Sequence, residues 1–305
     1  MRIKHGRWAI VGTLAAALGI MAAAGAAAPA VAGSDSEAAV QHALRQAGDN
    51  RDSLVAALKS VRGDARAALM FLIANMPRHD LQTLPGPRLA EEARLACQAR
   101  DRAPWKKNIT AELFLNDVLP YASLDEARDP WRKDFFDRFA ARVQSCPTPG
   151  AAAVKLNVEI FKEFHVSYHA TKRPKPNQSP AESIRAGFAS CTGLSILLVD
   201  ACRAVGIPAR IAGIPAWKDS QGRPAGNHTW VEIWDGRWHH LGAAESTALD
   251  QAWFTDKVRG PEVDPSEPVH RIYATSFRPT GTHFLLPWAP ATTWIPAVDV
   301  TQTYR

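Results

Sequence analysis

The chain has 305 residues, 46% hydrophobic and 22% charged, an ordinary balance for a globular protein able to bury a substantial core. Its net charge of +6 owes three charges to Arg2, Lys4 and Arg7, leaving about +3 on residues 33–305. No basic run interleaved with aromatics marks a nucleic-acid partner. The four cysteines are too few for a disulfide scaffold and include no Cys-x-x-Cys pair; with no His-Glu-x-x-His and no calcium-loop spacing, neither a metal nor a cofactor is expected.

At the N-terminus three basic residues precede an apolar run over residues 8–28 that ends in Ala30-Val31-Ala32. This is the layout of a secretory signal over residues 1–32, cleaved after Ala32, and it predicts an exported protein, periplasmic or secreted. The run is also long enough to cross a bilayer, so an uncleaved anchor is the rival expectation and would be the chain's route to a membrane. Apolar periodicity broken by proline and glycine then predicts helices at 37–60, 64–75, 88–100, 110–118, 131–144 and 150–164. Nothing in this helical region, residues 33–164, has catalytic or metal spacing, so it is expected to pack and to wall a groove. A core follows at 165–290 and a tail at 291–305. Residues 172–180 carry three prolines and read as an extended surface loop.

Ser190-Cys191-Thr192-Gly193-Leu194 opens a helix whose apolar positions Leu194, Leu197, Leu198, Ala201 and Val205 recur at three and four residues. Ser190 suits the N-cap, and Gly206 with Pro208 supplies the stop. A strand at 209–215 and a loop at 218–226 lead to residues 228–234, which alternate, with His228, Trp230, Glu232 and Trp234 on one face. Asp235-Gly236 is a two-residue turn signal that brings 237–243 back as the partner strand. A further strand is expected at 269–277, and the strand-like tail at 294–304 reads as the start of a further unit.

Cys191 in the first turn of a helix has the free N–H groups and the dipole that stabilise a thiolate, the form that attacks carbonyls. A buried small hydrophobe is the competing reading, and Cys202 illustrates it eleven residues further along the same helix, roughly 16 Å away and out of disulfide reach. His228 begins a strand where an imidazole could take the thiol proton and later protonate a leaving amine. His239 and His240 point to opposite faces of their strand and offer no metal pair.

Between residues 186 and 254 the sequence resembles the transglutaminase-like superfamily. The resemblance rests on Ser190-Cys191-Thr192-Gly193, on the run from Cys202 to Arg210, on Asn227-His228-Thr229-Trp230-Val231-Glu232 and on Gly236-Arg237-Trp238. It covers about a quarter of the chain, and with the helical region and the proline loop it extends to uncharacterised exported bacterial members. It implies an α+β papain-like fold, with the nucleophile helix packed on an antiparallel sheet, Cys191 as nucleophile and His228 as base. Family members commonly place Asp where this chain has Gly242. A two-residue turn would pair His228 with Ala243 and bring Glu245 diagonally near the imidazole, so Glu245 is the candidate acid, a solvated strand-end charge being the other reading.

The backbone N–H of Cys191 is the natural oxyanion donor, and Gln178 is a candidate second donor. Trp230 and Trp234, sharing the face of His228, are the candidate substrate-groove walls against core packing. Cys97 and Cys146 are compatible with a disulfide and with two buried thiols. The chemistry expected is acyl transfer from a protein, peptide or cell-wall amide through a Cys191 thioester, to an amine as a transglutaminase or to water as a peptidase or amidase. A non-catalytic envelope binding module with the same fold is the alternative.

Overall fold

The computed structural model describes residues 33–305, and the expected signal or anchor segment lies outside them. Among the described residues no helix is long and apolar enough to cross a membrane. The first half is helical: α1 (Gly33–Gln46), α2 (Arg51–Ser60), α3 (Gly63–Asn75), α4 (Arg78–Thr83), α5 (Gly86–Arg102) and α6 (Ala111–Leu113), the last continuing into a π turn over Phe114–Val118. Leu54, Leu69, Leu72, Ile73 and Leu89 join their apolar faces into one buried cluster. The single helix expected over 37–60 is broken, because Asn50 turns its amide to the carbonyls of Leu81 and Leu84, both at 2.8 Å, and pins a corner against α4. Six residues are too few to show periodicity, and α4 was not expected.

The second half runs α7 (Trp131–Val143), α8 (Pro149–Glu163), β1 (Ser167–Tyr168), α9 (Pro180–Ala186), β2 (Phe188–Ala189), α10 (Cys191–Ala204), β3 (Ala209–Ile214), β4 (Trp217–Lys218), β5 (Pro224–Ala225), β6 (His228–Trp234), β7 (Trp238–Leu241), α11 (Thr255–Arg259), β8 (Tyr273–Thr275) and β9 (Ala297–Asp299). Five strands form a central sheet in the order β7-β6-β3-β8-β9, antiparallel at every step. The fold is therefore α+β with a transglutaminase-like arrangement of helix on antiparallel sheet.

Both faces of the sheet are covered. Phe139 of α7, Leu156 of α8 and Leu194, Leu197 and Leu198 of α10 pack with Val231 and Ile233 on one side. Trp230, Ile214, Phe254, Val258 and Val300 form a smaller cluster on the other. That double burial explains why β6 sets Val231 and Ile233 on one face against Trp230 on the other, where Glu232 is buried and paired with Arg210 at 2.6 Å. The loop expected at 218–226 contains the β4–β5 ribbon. Within the tail, β9 pairs with β8 at the sheet edge, and Tyr304 accepts a hydrogen bond from the Trp230 indole at 2.8 Å. All four cysteines are free thiols, with Cys97 in the helical cluster and Cys146 beside the other, so no disulfide joins them.

Candidate active site

The first turn of α10 is fixed from three directions. Ser190 caps it, accepting the Gly193 N–H at 3.3 Å and donating to the Pro176 carbonyl at 2.6 Å. Thr192 Oγ1 meets Thr229 Oγ1 at 3.1 Å, and Ser195 donates to the Thr229 carbonyl at 3.3 Å. These side chains, one helical turn apart, seat the helix on β6 one residue from His228. The Thr229 N–H in turn serves the Cys191 thiol.

Cys191, His228, Glu245 and Trp253 line one cleft of about 520 Å³, with Tyr168 and Lys162 at its rim. The structure thus brings the three sequence-derived catalytic candidates together. Its electrostatics differ from those expected of a thiolate. Burial pushes the Cys191 thiol up, against the opposing pull of the Thr229 N–H, the Thr192 hydrogen bonds and the Arg173 guanidinium. Burial also holds the His228 imidazole down to about 3. The resting pair is therefore an uncharged thiol and an uncharged imidazole, because the dipole of one helix end does not offset removal of both groups from water. No hydrogen bond joins them, and His228 Nε2 is buried without a partner.

Glu245 reaches the site by a route other than the expected one. Trp234 pairs with Trp238, not Arg237, because the turn holds three residues, Asp235 to Arg237, with Gly236 at φ +80°. The ladder stops at Val231 opposite Leu241, so no strand pairing sets Glu245. Asn157 of α8 does so instead, donating to the carbonyls of Gly242 at 2.9 Å and Ser246 at 2.8 Å and accepting the Ala244 N–H at 2.9 Å. This clamp folds the 242–246 turn so that Glu245 Oε1 lies 3.9 Å from His228 Nε2.

A β-carbon added at Gly242 would collide with Glu245 Oε1 and Cγ and come within 2.8 Å of Ser246 Oγ. The carboxylate thus fills the space that a side chain at 242 would need. Burial raises the Glu245 carboxyl, and the Trp253 indole opposes the rise by hydrogen bonding.

The three substrate-binding candidates lie elsewhere. Gln178 is fully buried behind α10, its amide donating to the carbonyls of Phe188 at 3.1 Å and Glu182 at 3.4 Å, so it is committed to backbone and does not face the cleft. The loop at 172–180 is correspondingly not all surface: Ser179 is buried and opens α9 with a capping box to Glu182. Trp230 is a core residue stacked on Phe254 and behind the imidazole, with ring centroids 4.8 and 5.8 Å away. Trp234 packs edge-on to Trp238 at the far end of β6, six residues and about 20 Å along the strand from His228.

The wall that sequence reasoning missed is Trp253, 55% exposed, whose ring centroid lies 4.8 Å from that of His228. Its one sequence signal is adjacency to Phe254 at the end of the resembling segment.

Residues 137–243 match the family model described as the transglutaminase-like superfamily. No curated protein matches the chain. Two chains of solved structures match it. One is described as "a Putative Cysteine Protease from Cytophaga hutchinsonii", 21% identical over 37% of this chain and 36% of that one, with a TM-score of 0.30. The match thus spans about a third of that protein's length. The matched segment 137–243 carries α8, α10, β3 and β6 and with them Cys191 and His228, and it is this part of the chain that is similar to the transglutaminase-like superfamily.

Proposed function

We propose that the protein is an exported thiol enzyme that transfers an acyl group from an amide through a Cys191 thioester. The observation that carries this reading is the convergence of Cys191, His228 and Glu245 on one cleft, from elements as separate as α10, β6 and the turn held by Asn157. Cys191 Sγ attacks the amide carbonyl as His228 takes the thiol proton, and the backbone N–H of Cys191, at the start of the helix, faces the developing oxyanion. The imidazolium is transiently paired with Glu245 and gives its proton to the departing amine as the C–N bond breaks. An acceptor amine or water then attacks the thioester, His228 removing its proton and returning one to the leaving sulfur. The first outcome is transglutamination and the second peptidase or amidase chemistry, on a protein, peptide or cell-wall amide.

A non-catalytic binding module is the second reading. It is favoured by one observation, the uncharged Cys191 and His228 with no hydrogen bond between them. Reaction of the chain with p-nitrophenyl acetate separates the two. The enzyme reading expects a stoichiometric burst with acetyl on Cys191, slowed at least tenfold in His228→Ala and lost in Cys191→Ala. Acetylation of Cys191 no faster than that of Cys146, and indifferent to His228, would leave the binding module in its place.

A further inference from the structure

The segment between β7 and α11, residues 242–254, brings two side chains to His228: Glu245 from the turn clamped by Asn157, and Trp253. Three rings close in the imidazole, Phe254 at 4.7 Å, Trp253 at 4.8 Å and Trp230 at 5.8 Å between centroids, and the first two belong to this segment. Phe254 is wholly buried, so packing holds it. Trp253 is 55% exposed, and its other neighbours are Trp217 edge-on at 6.4 Å, Phe254 at 5.7 Å and the Lys257 ammonium 5.7 Å from the ring centroid. Burial alone does not fix so exposed a ring over the base, and its place depends on the path of the backbone that carries it.

That path is set by Asp250, three residues before Trp253. Asp250 stands in a tight turn bridged from Ala248 to Gln251, at φ +58°, a left-handed conformation that side chains rarely adopt. Bonds to β7 and to the turn before it hold the residue there. Its N–H donates to the His240 carbonyl at 2.9 Å, and its Oδ1 accepts the His240 N–H at 3.0 Å and lies 3.2 Å from His240 Nδ1. Its Oδ2 meets His239 Nδ1 at 2.8 Å and accepts from Arg237 Nη2 at 2.9 Å. The far side of the His240 ring carries the attachment onward. Its Nε2 meets Thr255 Oγ1 at 2.8 Å, and the same oxygen accepts the Ala252 N–H at 2.9 Å, closing the turn that holds Trp253 and Phe254. Neither Asp250 nor His240 lines the cleft, so both act on it only through the segment they fasten.

We propose that Asp250 is a positioning residue of the acyl-transfer site: fastened to β7, it holds Trp253 over His228 and keeps water from the base. This rests on the acyl-transfer reading above. A loosened Trp253 hydrates the imidazole, and hydration favours the charged form. The base is then protonated in the mildly acidic range where the covered imidazole stays neutral.

The test follows the His228 ring by NMR titration, its signal assigned with His228→Gln, beside the acetyl burst on Cys191. Asp250→Gly accepts the positive φ without the side-chain bonds, and Asp250→Asn keeps the shape and one acceptor oxygen. In the unmodified chain the His228 signal is expected to hold its neutral position down to about pH 4.5. In Asp250→Gly the midpoint rises above about pH 5, and the burst slows between pH 7 and pH 5, where the unmodified chain keeps its rate. Asp250→Asn falls between the two. Trp253→Ala reproduces the shift, and adding Asp250→Gly to it moves His228 little further. The other titratable groups of the cleft, Cys191, Glu245, Lys162 and Tyr168, are the same in every variant.

A merely structural Asp250 gives a different result: Asp250→Gly lowers the melting temperature and leaves the His228 midpoint and the burst of the folded chain unchanged, which overturns the proposal. A shift in the double variant equal to the sum of the two single shifts overturns it as well. Absence of the burst in the unmodified chain, with a His228 midpoint still governed by Asp250, would fault the enzyme reading instead and leave the placement of Trp253 standing.

Discussion

Glu245 and Gly242 form a single device, since the carboxylate beside His228 occupies the volume that any side chain at 242 would enter. An aspartate restored by Gly242→Asp must therefore displace Glu245, and is expected to cost about 1–3 kcal/mol from overpacking and to lower activity. Glu245→Ala alone should reduce the acylation rate about 10- to 100-fold through loss of the group that orients and stabilises the imidazolium. If the two positions share one role, Gly242→Asp in the Glu245→Ala background recovers at least part of that loss, a coupling that a double-mutant cycle on the acetyl burst reads directly. Strict additivity would mean that Glu245 is a bystander charge. His228 supplies a second test. Its folded value of about 3 lies below the unfolded value near 6.5, so between these pH values the unfolded chain binds the extra proton. The stability tied to the neutral imidazole is complete above about pH 6.5 and is lost as pH falls toward 3, by up to about 1.4 kcal/mol per pH unit. His228→Gln removes that slope, and urea midpoints at pH 7, 6 and 5 should converge with those of the unmodified chain as pH falls; parallel curves would contradict a buried neutral His228.

At the scale of elements, the start of α10 matters more than its length. Ser190 makes both the cap bond to Gly193 and the bond that holds the proline loop, so Ser190→Ala is expected to cost about 1–2 kcal/mol and to lower the melting temperature. Hydrogen exchange should rise in residues 170–178 as well as at 191–193; a rise confined to the helix would mean that the loop is held by its other contacts. The cap, the helix and β3 and β6 were legible because each is written locally: a serine before an apolar stripe, a glycine-proline stop, alternation in β6. What lay outside local pattern was not. The hairpin register turned on Arg237 joining the turn, which no propensity distinguishes from a strand residue. Glu245 was correctly brought to His228 for an incorrect reason, since the clamp that sets it, Asn157, is 88 residues away in sequence and sits mid-helix like any polar surface residue. Gln178 and Trp230 were misplaced because a polar loop residue and a strand aromatic give no sign of which neighbour buries them, and Trp253 had no periodic element around it to mark it as a cleft wall.

At the scale of the molecule, the helical half and the sheet half hold separate buried clusters, and two arginines cross between them. Arg132 of α7, with its side chain wholly buried, donates to Glu92 of α5 at 2.8 Å and to the carbonyls of Leu119 at 2.8 Å, Pro120 at 2.9 Å, Val118 at 3.1 Å and Arg203 at 3.3 Å. Arg203 of α10 donates to the carbonyls of Ala209 at 3.0 Å, Ala122 at 3.1 Å and Asp117 at 3.2 Å. The segment 117–122 is thus tied to the nucleophile helix by charge-assisted bonds to bare carbonyls rather than by secondary structure. Removing one partner of such a junction is costly because the other charge stays buried: Arg132→Met should destabilise by about 3–5 kcal/mol, leaving Glu92 and the four carbonyls without their Arg132 bonds. The double variant Arg132→Met with Glu92→Leu removes the stranded carboxylate and should regain a large part of that cost, though not the carbonyl bonds. Urea unfolding followed by two probes, far-UV ellipticity for the helical half and tryptophan emission for the sheet half, reads both the cost and its distribution. Coincident transitions in the unmodified chain that separate in Arg132→Met, the helical half unfolding first, would show that this junction makes the two halves one cooperative unit. Transitions that stay coincident at lower urea would place the coupling in the apolar contacts of α5 and α7 with α10 instead.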